Sequence, residues 1–127
     1  MDILMRYGFS IEEIKNMMDS NDELENVLDK DILELINVLS KIGCHEEHIM
    51  NIFICNPFAL SRSVKEIKDL IKKFEELKFK KLYTIFDSNP YLLNMTATEI
   101  ENIYKDKESQ GMSSQEIVDY FYHNIII

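Results

Sequence analysis

The sequence has few of the residues that form tight turns. It contains three glycines, two prolines and no tryptophan among 127 residues. A many-stranded sheet needs turn residues at short intervals, so this scarcity favours helices. Hydrophobic residues make up 46% of the chain, which is enough for one folded domain with a modest core.

Long apolar runs are also missing. No stretch approaches the ~20 residues of a membrane span, so a membrane partner is not expected. The N-terminus lacks the basic start and apolar run of a signal peptide. If Cys44 and Cys55 share one helical region, 11 residues separate their Cα atoms by roughly 16 Å. That distance excludes a disulfide, so free thiols and a cytoplasmic location are expected.

Positive charge is scarce and unevenly placed. The net charge is −9, and residues 1–50 hold 12 acidic and 4 basic side chains. Between Arg62 and Lys81, by contrast, there are eight basic and four acidic residues. An acidic chain repels phosphates at long range, which disfavours binding to nucleic acid or anionic membrane.

The middle of the chain contains one sequence unit in two nearly identical copies. Asn56-Pro57-Phe58-Ala59-Leu60 returns 33 residues later as Asn89-Pro90-Tyr91-Leu92-Leu93. Each motif follows an apolar stripe and precedes a helix-start signal. Proline disfavours helical geometry in the residue before it, so the chain must turn at both places. A repeat of this length indicates stacked helical units.

Apolar residues at i, i+3 and i+4 define two alternating kinds of amphipathic helix. The first kind ends at Asn21, Asn56, Asn89 and Asn124, and the second kind follows the turn. The sequence therefore predicts an all-α fold, a short right- or left-wound solenoid-like array of about seven helices. We expect one domain over residues 1–127, with repeat units at roughly 8–42, 43–77, 78–110 and 111–127.

The unit resembles the repeat of the mitochondrial transcription termination factor family, mTERF. Repeats of that family carry a proline at a helix end and apolar residues about three, ten and seventeen positions later. Pro57, Leu60, Ile67 and Phe74 fit this pattern, and so do Pro90, Leu93 and Ile100. The resemblance implies a helical superhelix that binds DNA or RNA along a basic groove.

No catalytic, cofactor-binding or metal-binding residue is assigned from the sequence. Cys44-His45-Glu46-Glu47-His48 resembles a metal cluster, but its histidines are three apart rather than four. We interpret it as an ordinary helix start. His123 has no nucleophile assigned near it and is interpreted as a residue at a helix end.

Two surfaces are candidates for partner binding. Lys65, Lys68, Lys72 and Lys73 lie on the helix after Pro57 and are candidate contacts to nucleic acid, although interleaved carboxylates favour a solvated face. The aromatic run Tyr120-Phe121-Tyr122 could stack on bases, but the phase of Tyr120 and Phe121 favours packing. Tyr122, Ile125, Ile126 and Ile127 are a candidate interface, because no following helix would cover them.

The leading hypothesis from the sequence is a non-enzymatic interaction module that binds a protein partner or itself. The alternative is a nucleic-acid-binding protein that uses the basic segment from Arg62 to Lys81. Charge separates the two hypotheses, and the net charge of −9 favours the first.

Overall fold

A computed structural model describes residues 2–123. Within that range the chain forms eight α-helices and three short 3₁₀ turns, with no strand. The helices are α1 (Asp2–Tyr7), α2 (Ile11–Ser20), α3 (Asp29–Lys41), α4 (Glu46–Cys55), α5 (Val64–Glu76), α6 (Leu82–Ser88), α7 (Ala97–Ser109) and α8 (Ser114–His123). The predicted all-α array is confirmed. The one helix beyond the expected seven is α1, which corresponds to the end of a second-kind helix.

The helices form two layers. The even-numbered helices contact one another in order, α2 with α4, α4 with α6 and α6 with α8. The odd-numbered helices do the same, α1 with α3, α3 with α5 and α5 with α7. Each element thus packs mainly on its neighbours in the array, as in solenoid proteins.

We call the three 3₁₀ turns corner 1 (Asp22–Asn26), corner 2 (Pro57–Ser61) and corner 3 (Pro90–Asn94). Each corner joins an even-numbered helix to the following odd-numbered one, and corner 2 contacts both corner 1 and corner 3. Leu60 and Leu93, the apolar residues three positions after Pro57 and Pro90, fold back from their corners and are buried. Corner 1 forms without proline, and Leu24 is its buried residue.

A ladder of buried asparagines connects neighbouring corners. The side-chain amide of Asn21 donates to the Pro57 carbonyl at 3.1 Å, and that of Asn56 donates to the Pro90 carbonyl at 3.0 Å. The side-chain amide of Asn89 donates instead to the carbonyl of Phe121 in α8, at 3.0 Å. Buried amides need partners, so this ladder fixes the register of one unit on the next. Asn124, the fourth asparagine of the repeat, lies outside the described residues.

The opposite edge of the array carries four turns of one design. After each odd-numbered helix, one backbone amide bonds back over five residues; these donors are Phe9, Cys44, Phe79 and Met112, and Cys44 reaches the Leu39 carbonyl at 3.1 Å. The residue before each donor is left-handed, which suits Gly8, Gly43 and Gly111. The remaining turn has Lys78 at this position, with φ of 69°.

Side-chain caps start most of the helices. Ser10 with Glu13, and Thr96 with Glu99, form reciprocal capping boxes. Ser113 and Glu116 make the same pair of bonds at 3.2 and 2.9 Å. These hydrogen bonds hold the pKa of the Glu116 carboxyl below its usual value.

Candidate nucleic-acid interface

Arg62 begins the basic segment in the sequence, but it does not belong to a basic surface. Its side chain is only 6% exposed. The guanidinium donates to the carbonyls of Leu93 and Met95, the latter at 2.8 Å, and to Glu66 Oε2 at 2.6 Å. Arg62 therefore fastens corner 2 to corner 3, and the basic segment proposed from the sequence loses its first member.

The lysines of α5 are mostly engaged by carboxylates. Lys65 Nζ lies 3.0 Å from Asp69 on the same helix. Lys68 Nζ lies 3.1 Å from Glu34, so this pair bridges α5 to α3. Exposed pairs of this kind contribute about 0–1 kcal/mol each and can be exchanged for phosphate contacts, but they lower the positive potential of the face.

Lys73 is the least exposed of the four candidate lysines. It pairs with Glu76 at 3.2 Å and with Glu101 of α7, and its side chain is 22% exposed. The bonds to Glu101 and Glu76 raise the pKa of the Lys73 ammonium. Lys72 is exposed and has no ion pair within residues 2–123. The four lysines therefore share one helix, and three of them have carboxylate partners.

A second group of lysines surrounds a cleft at the edge of the array that carries the four turns. The cleft holds about 380 Å³ and is lined by Lys41, Ile42, Glu75, Phe79, Lys80, Lys81 and Leu82. All three lysines are exposed, and none has an ion pair in the described part of the chain. We call Lys41, Lys80 and Lys81 the turn lysines. Together they outnumber the one carboxylate in the lining, Glu75, and give this cleft a net positive charge on a protein that is acidic overall.

Backbone strain is concentrated at the same turn. Lys78 and Lys81 have φ of 69° and 52°, and they are the non-glycine residues with positive φ in the structure. A left-handed conformation costs a residue with a Cβ roughly 1–2 kcal/mol. The connection between α5 and α6 spans residues 77–81, and within it Lys80 and Lys81 line the cleft together with Lys41.

Sequence reasoning missed Lys41 as a site residue. It is 39 residues from Lys80 in the chain, and only the stacking of α3 on α5 brings the two turns together. The available signal was its place two residues before Gly43, because every such turn lies on one edge of the array.

His45 and His48 lie at the start of α4, as interpreted from the sequence. The backbone N–H of His45 donates to Nδ1 of His48 at 2.9 Å, so the imidazole of His48 caps the start of α4. His48 also packs near Tyr83, with ring centroids 5.7 Å apart. His123 is exposed at the end of α8.

Both cysteines are free thiols, as predicted. Cys44 is buried, and burial, aided by the nearby Asp87, raises its pKa to about 12. Its thiol therefore stays protonated and unreactive near neutral pH. Cys55 is exposed, with its sulfur 3.5 Å from the side-chain oxygen of Asn51.

The C-terminal aromatic residues pack on the preceding unit. Phe121 is fully buried and meets Phe74 edge-on at 5.7 Å. Tyr120 is half-buried beneath Lys107, whose ammonium lies 4.5 Å from the ring centroid. Tyr122 is half-buried, and its hydroxyl contacts Thr84 of α6. Of the candidate interface, Ile125, Ile126 and Ile127 lie outside the described residues, so association through this end stays a prediction.

No helix within residues 2–123 is long and apolar enough to cross a membrane. No curated protein and no solved structure matches the chain. The family model described as mTERF matches residues 1–123, which is nearly the whole sequence. With two helical layers, proline-led corners and buried leucines at Leu60 and Leu93, the chain belongs to the mTERF family.

Proposed function

We propose that this protein is a nucleic-acid-binding helical-repeat module that contacts phosphates through the turn lysines. Members of the mTERF family bind nucleic acid and are not enzymes, which supports a binding role without catalysis. The observation that carries the proposed site is the cleft at the turn edge. There, Lys41, Lys80 and Lys81 surround about 380 Å³ of open space without carboxylate partners in the described chain.

This proposal reverses the order of the two hypotheses drawn from the sequence. Net charge favoured a protein partner, but net charge describes the field far from the surface. At contact distance, local charges decide which group can bind. Five acidic residues of the first 50 positions, Asp22, Glu23, Glu25, Asp29 and Asp31, lie on corner 1 and at the start of α3, on the edge opposite the turn between α5 and α6.

We also propose that the protein works in a reducing compartment. The free thiols of Cys44 and Cys55 support this, whether the compartment is the cytoplasm or the interior of an organelle.

The test compares two triple variants that remove the same charge. One replaces Lys41, Lys80 and Lys81 with Gln, and the other replaces Lys65, Lys68 and Lys72 with Gln. Binding of labelled single-stranded and duplex DNA and RNA is followed by fluorescence anisotropy over a salt series. Each phosphate contact contributes roughly 0.7–0.9 to the slope of log K against log salt concentration.

We expect the turn-lysine variant to lower this slope by about 2–3, and the α5 variant to lower it by less than about 1. A larger loss in the α5 variant would move the site to the outer face of α5. If the unmodified protein shows no salt-dependent binding to DNA or RNA even at low salt, the proposed function is wrong.

A further inference from the structure

The repeat brings equivalent residues of successive corners into equivalent places, and one position differs in a revealing way. Counting from the buried asparagine, Val27, Arg62 and Met95 occupy the same place after corners 1, 2 and 3. Arg62 fills the groove between corner 2 and corner 3. Val27 is too short to fill the preceding groove. We infer that the groove between corners 1 and 2 receives an arginine side chain from a partner protein.

The filled groove shows what such a site requires. Nη1 of Arg62 donates to the carbonyl oxygens of Leu93 and Met95, and Nη2 donates to the carboxylate of Glu66. The side chain is 6% exposed, so the groove also encloses its methylene groups. One guanidinium thus satisfies two carbonyls and a carboxylate.

The preceding groove presents the same acceptors. The residues equivalent to Leu93, Met95 and Glu66 are Leu60, Arg62 and Asp31, and all three line an open groove of about 560 Å³. In the described chain, no hydrogen bond reaches the carbonyl oxygen of Leu60 or Arg62, and Asp31 has no ion pair. The chain therefore contains two grooves with two carbonyls and a carboxylate as acceptors, and it supplies an arginine to only one of them.

The backbone supports the equivalence. Arg62 has φ −76° and ψ 151°, and Met95 has φ −85° and ψ 158°. Asn56 and Asn89, which begin the two corners, both have φ −136°, with ψ of 74° and 75°. Corners 2 and 3 therefore share one local geometry, and their carbonyls are presented in the same way.

The chemistry favours a guanidinium over other groups. A planar fork can bond two carbonyls and a carboxylate together, whereas an ammonium is a single point charge. The apolar walls, Val27, Leu60 and Val64, suit the methylene groups of an arginine. Residues 22–31 carry five carboxylates and one lysine, so this end of the array attracts a basic protein segment and repels phosphate.

Leu28 adds a neighbouring apolar contact. It lines the same groove and is 57% exposed, although it directly precedes α3. An apolar residue beside the arginine of the partner would cover it. The occupant is therefore a short segment with an arginine next to an apolar residue.

The test titrates the ¹⁵N-labelled full chain with a capped Gly-Arg-Leu peptide, and with Gly-Lys-Leu as its control. We expect saturable amide shifts at residues 27–31 and 60–64 with the arginine peptide. Binding should weaken about tenfold or more with the lysine peptide, which lacks the planar fork, and in Asp31→Asn, which removes the charged acceptor. Equal shifts with both peptides, or shifts spread over many surface carboxylates, would overturn the inference.

A second variant fills the groove from within the chain. Val27→Arg should reproduce the bonds of Arg62, raise the melting temperature above that of Val27→Lys, and abolish the response to the arginine peptide. Unchanged peptide binding by folded Val27→Arg contradicts the assignment. The other arginine of the chain is Arg6, in α1. If the unmodified chain forms a dimer that dissociates in Arg6→Gln, the arginine comes from a second copy and the inference of a partner protein is overturned.

Discussion

At the scale of single residues, residues at equivalent positions of successive repeat units have different structural roles. The place occupied by Arg62 holds an apolar residue in the units before and after it. The apolar residues at the equivalent positions indicated that Arg62 is a packing residue. The sequence prediction considered only its charge and assigned it to a basic surface. The asparagines were predicted as helix ends, but their bonds to the next unit were not. An i, i+3, i+4 pattern reports the buried face of a helix and carries no information about register between units.

We predict that Asn56→Ala destabilises the fold by about 1–3 kcal/mol, because it leaves the buried carbonyl of Pro90 without its donor. Asn51 provides a matched control on the same helix. It also bonds across to the next unit, to Asp87 at 3.0 Å, but it is exposed. Asn51→Ala should cost less than about 0.5 kcal/mol. Urea denaturation measures both, and equal losses would show that the ladder adds nothing beyond surface contacts.

Lys78→Gly should stabilise the protein by about 1 kcal/mol, because glycine adopts the left-handed conformation without a Cβ clash. Lys80 lies in the same turn and does not have a positive φ. Lys80→Gly should therefore be neutral or destabilising, since it only increases the freedom of the unfolded chain. The midpoints of urea denaturation separate the two, and a loss of stability in Lys78→Gly contradicts the strain assigned to this turn.

At the scale of elements, the helices follow from local signals and the contacts between them do not. Ser10, Thr96 and Ser113 start their helices through capping boxes, and each box lies within one turn of the chain. The pairing of Glu101 with both Lys105 and Lys73 involves two helices, and no spacing along one helix reveals it. The same limit explains why Lys41 was not placed beside Lys80 and Lys81.

Glu101 should make stability depend on pH in a defined window. The bonds to Lys105 and then Lys73 lower the pKa of its carboxyl from 4.5 to about 2. The folded protein therefore binds fewer protons than the unfolded chain between these values, so the contribution is present above pH 4.5 and is lost as pH falls towards about 2.

Glu101→Gln should consequently lower the melting temperature near pH 7, and the difference from the unmodified protein should shrink between about pH 4.5 and 2. Glu108 lies on the same helix and has no ion pair in residues 2–123, so Glu108→Gln is the control. A difference that stays constant down to pH 2 would assign the effect of Glu101 to packing instead.

At the scale of the whole molecule, the two proposed binding surfaces lie on opposite edges of one array. The proposed phosphate site lies among the turns, and the proposed arginine receptor lies among the corners. The all-α repeat fold followed from composition and periodicity. The order of the functional hypotheses did not, because a net charge of −9 does not reveal that Lys41, Lys80 and Lys81 line one cleft. The division into repeat units at 8–42, 43–77, 78–110 and 111–127 stays a proposal.

The asparagine ladder has a direction. Asn21 and Asn56 each donate an amide forward, and corners 2 and 3 receive it on the carbonyls of Pro57 and Pro90. A corner in the middle of the array therefore accepts a hydrogen bond from the unit before it and donates one to the unit after it. Because this hydrogen bond repeats from unit to unit, whole units can be gained or lost in evolution while the bond between neighbouring units stays the same.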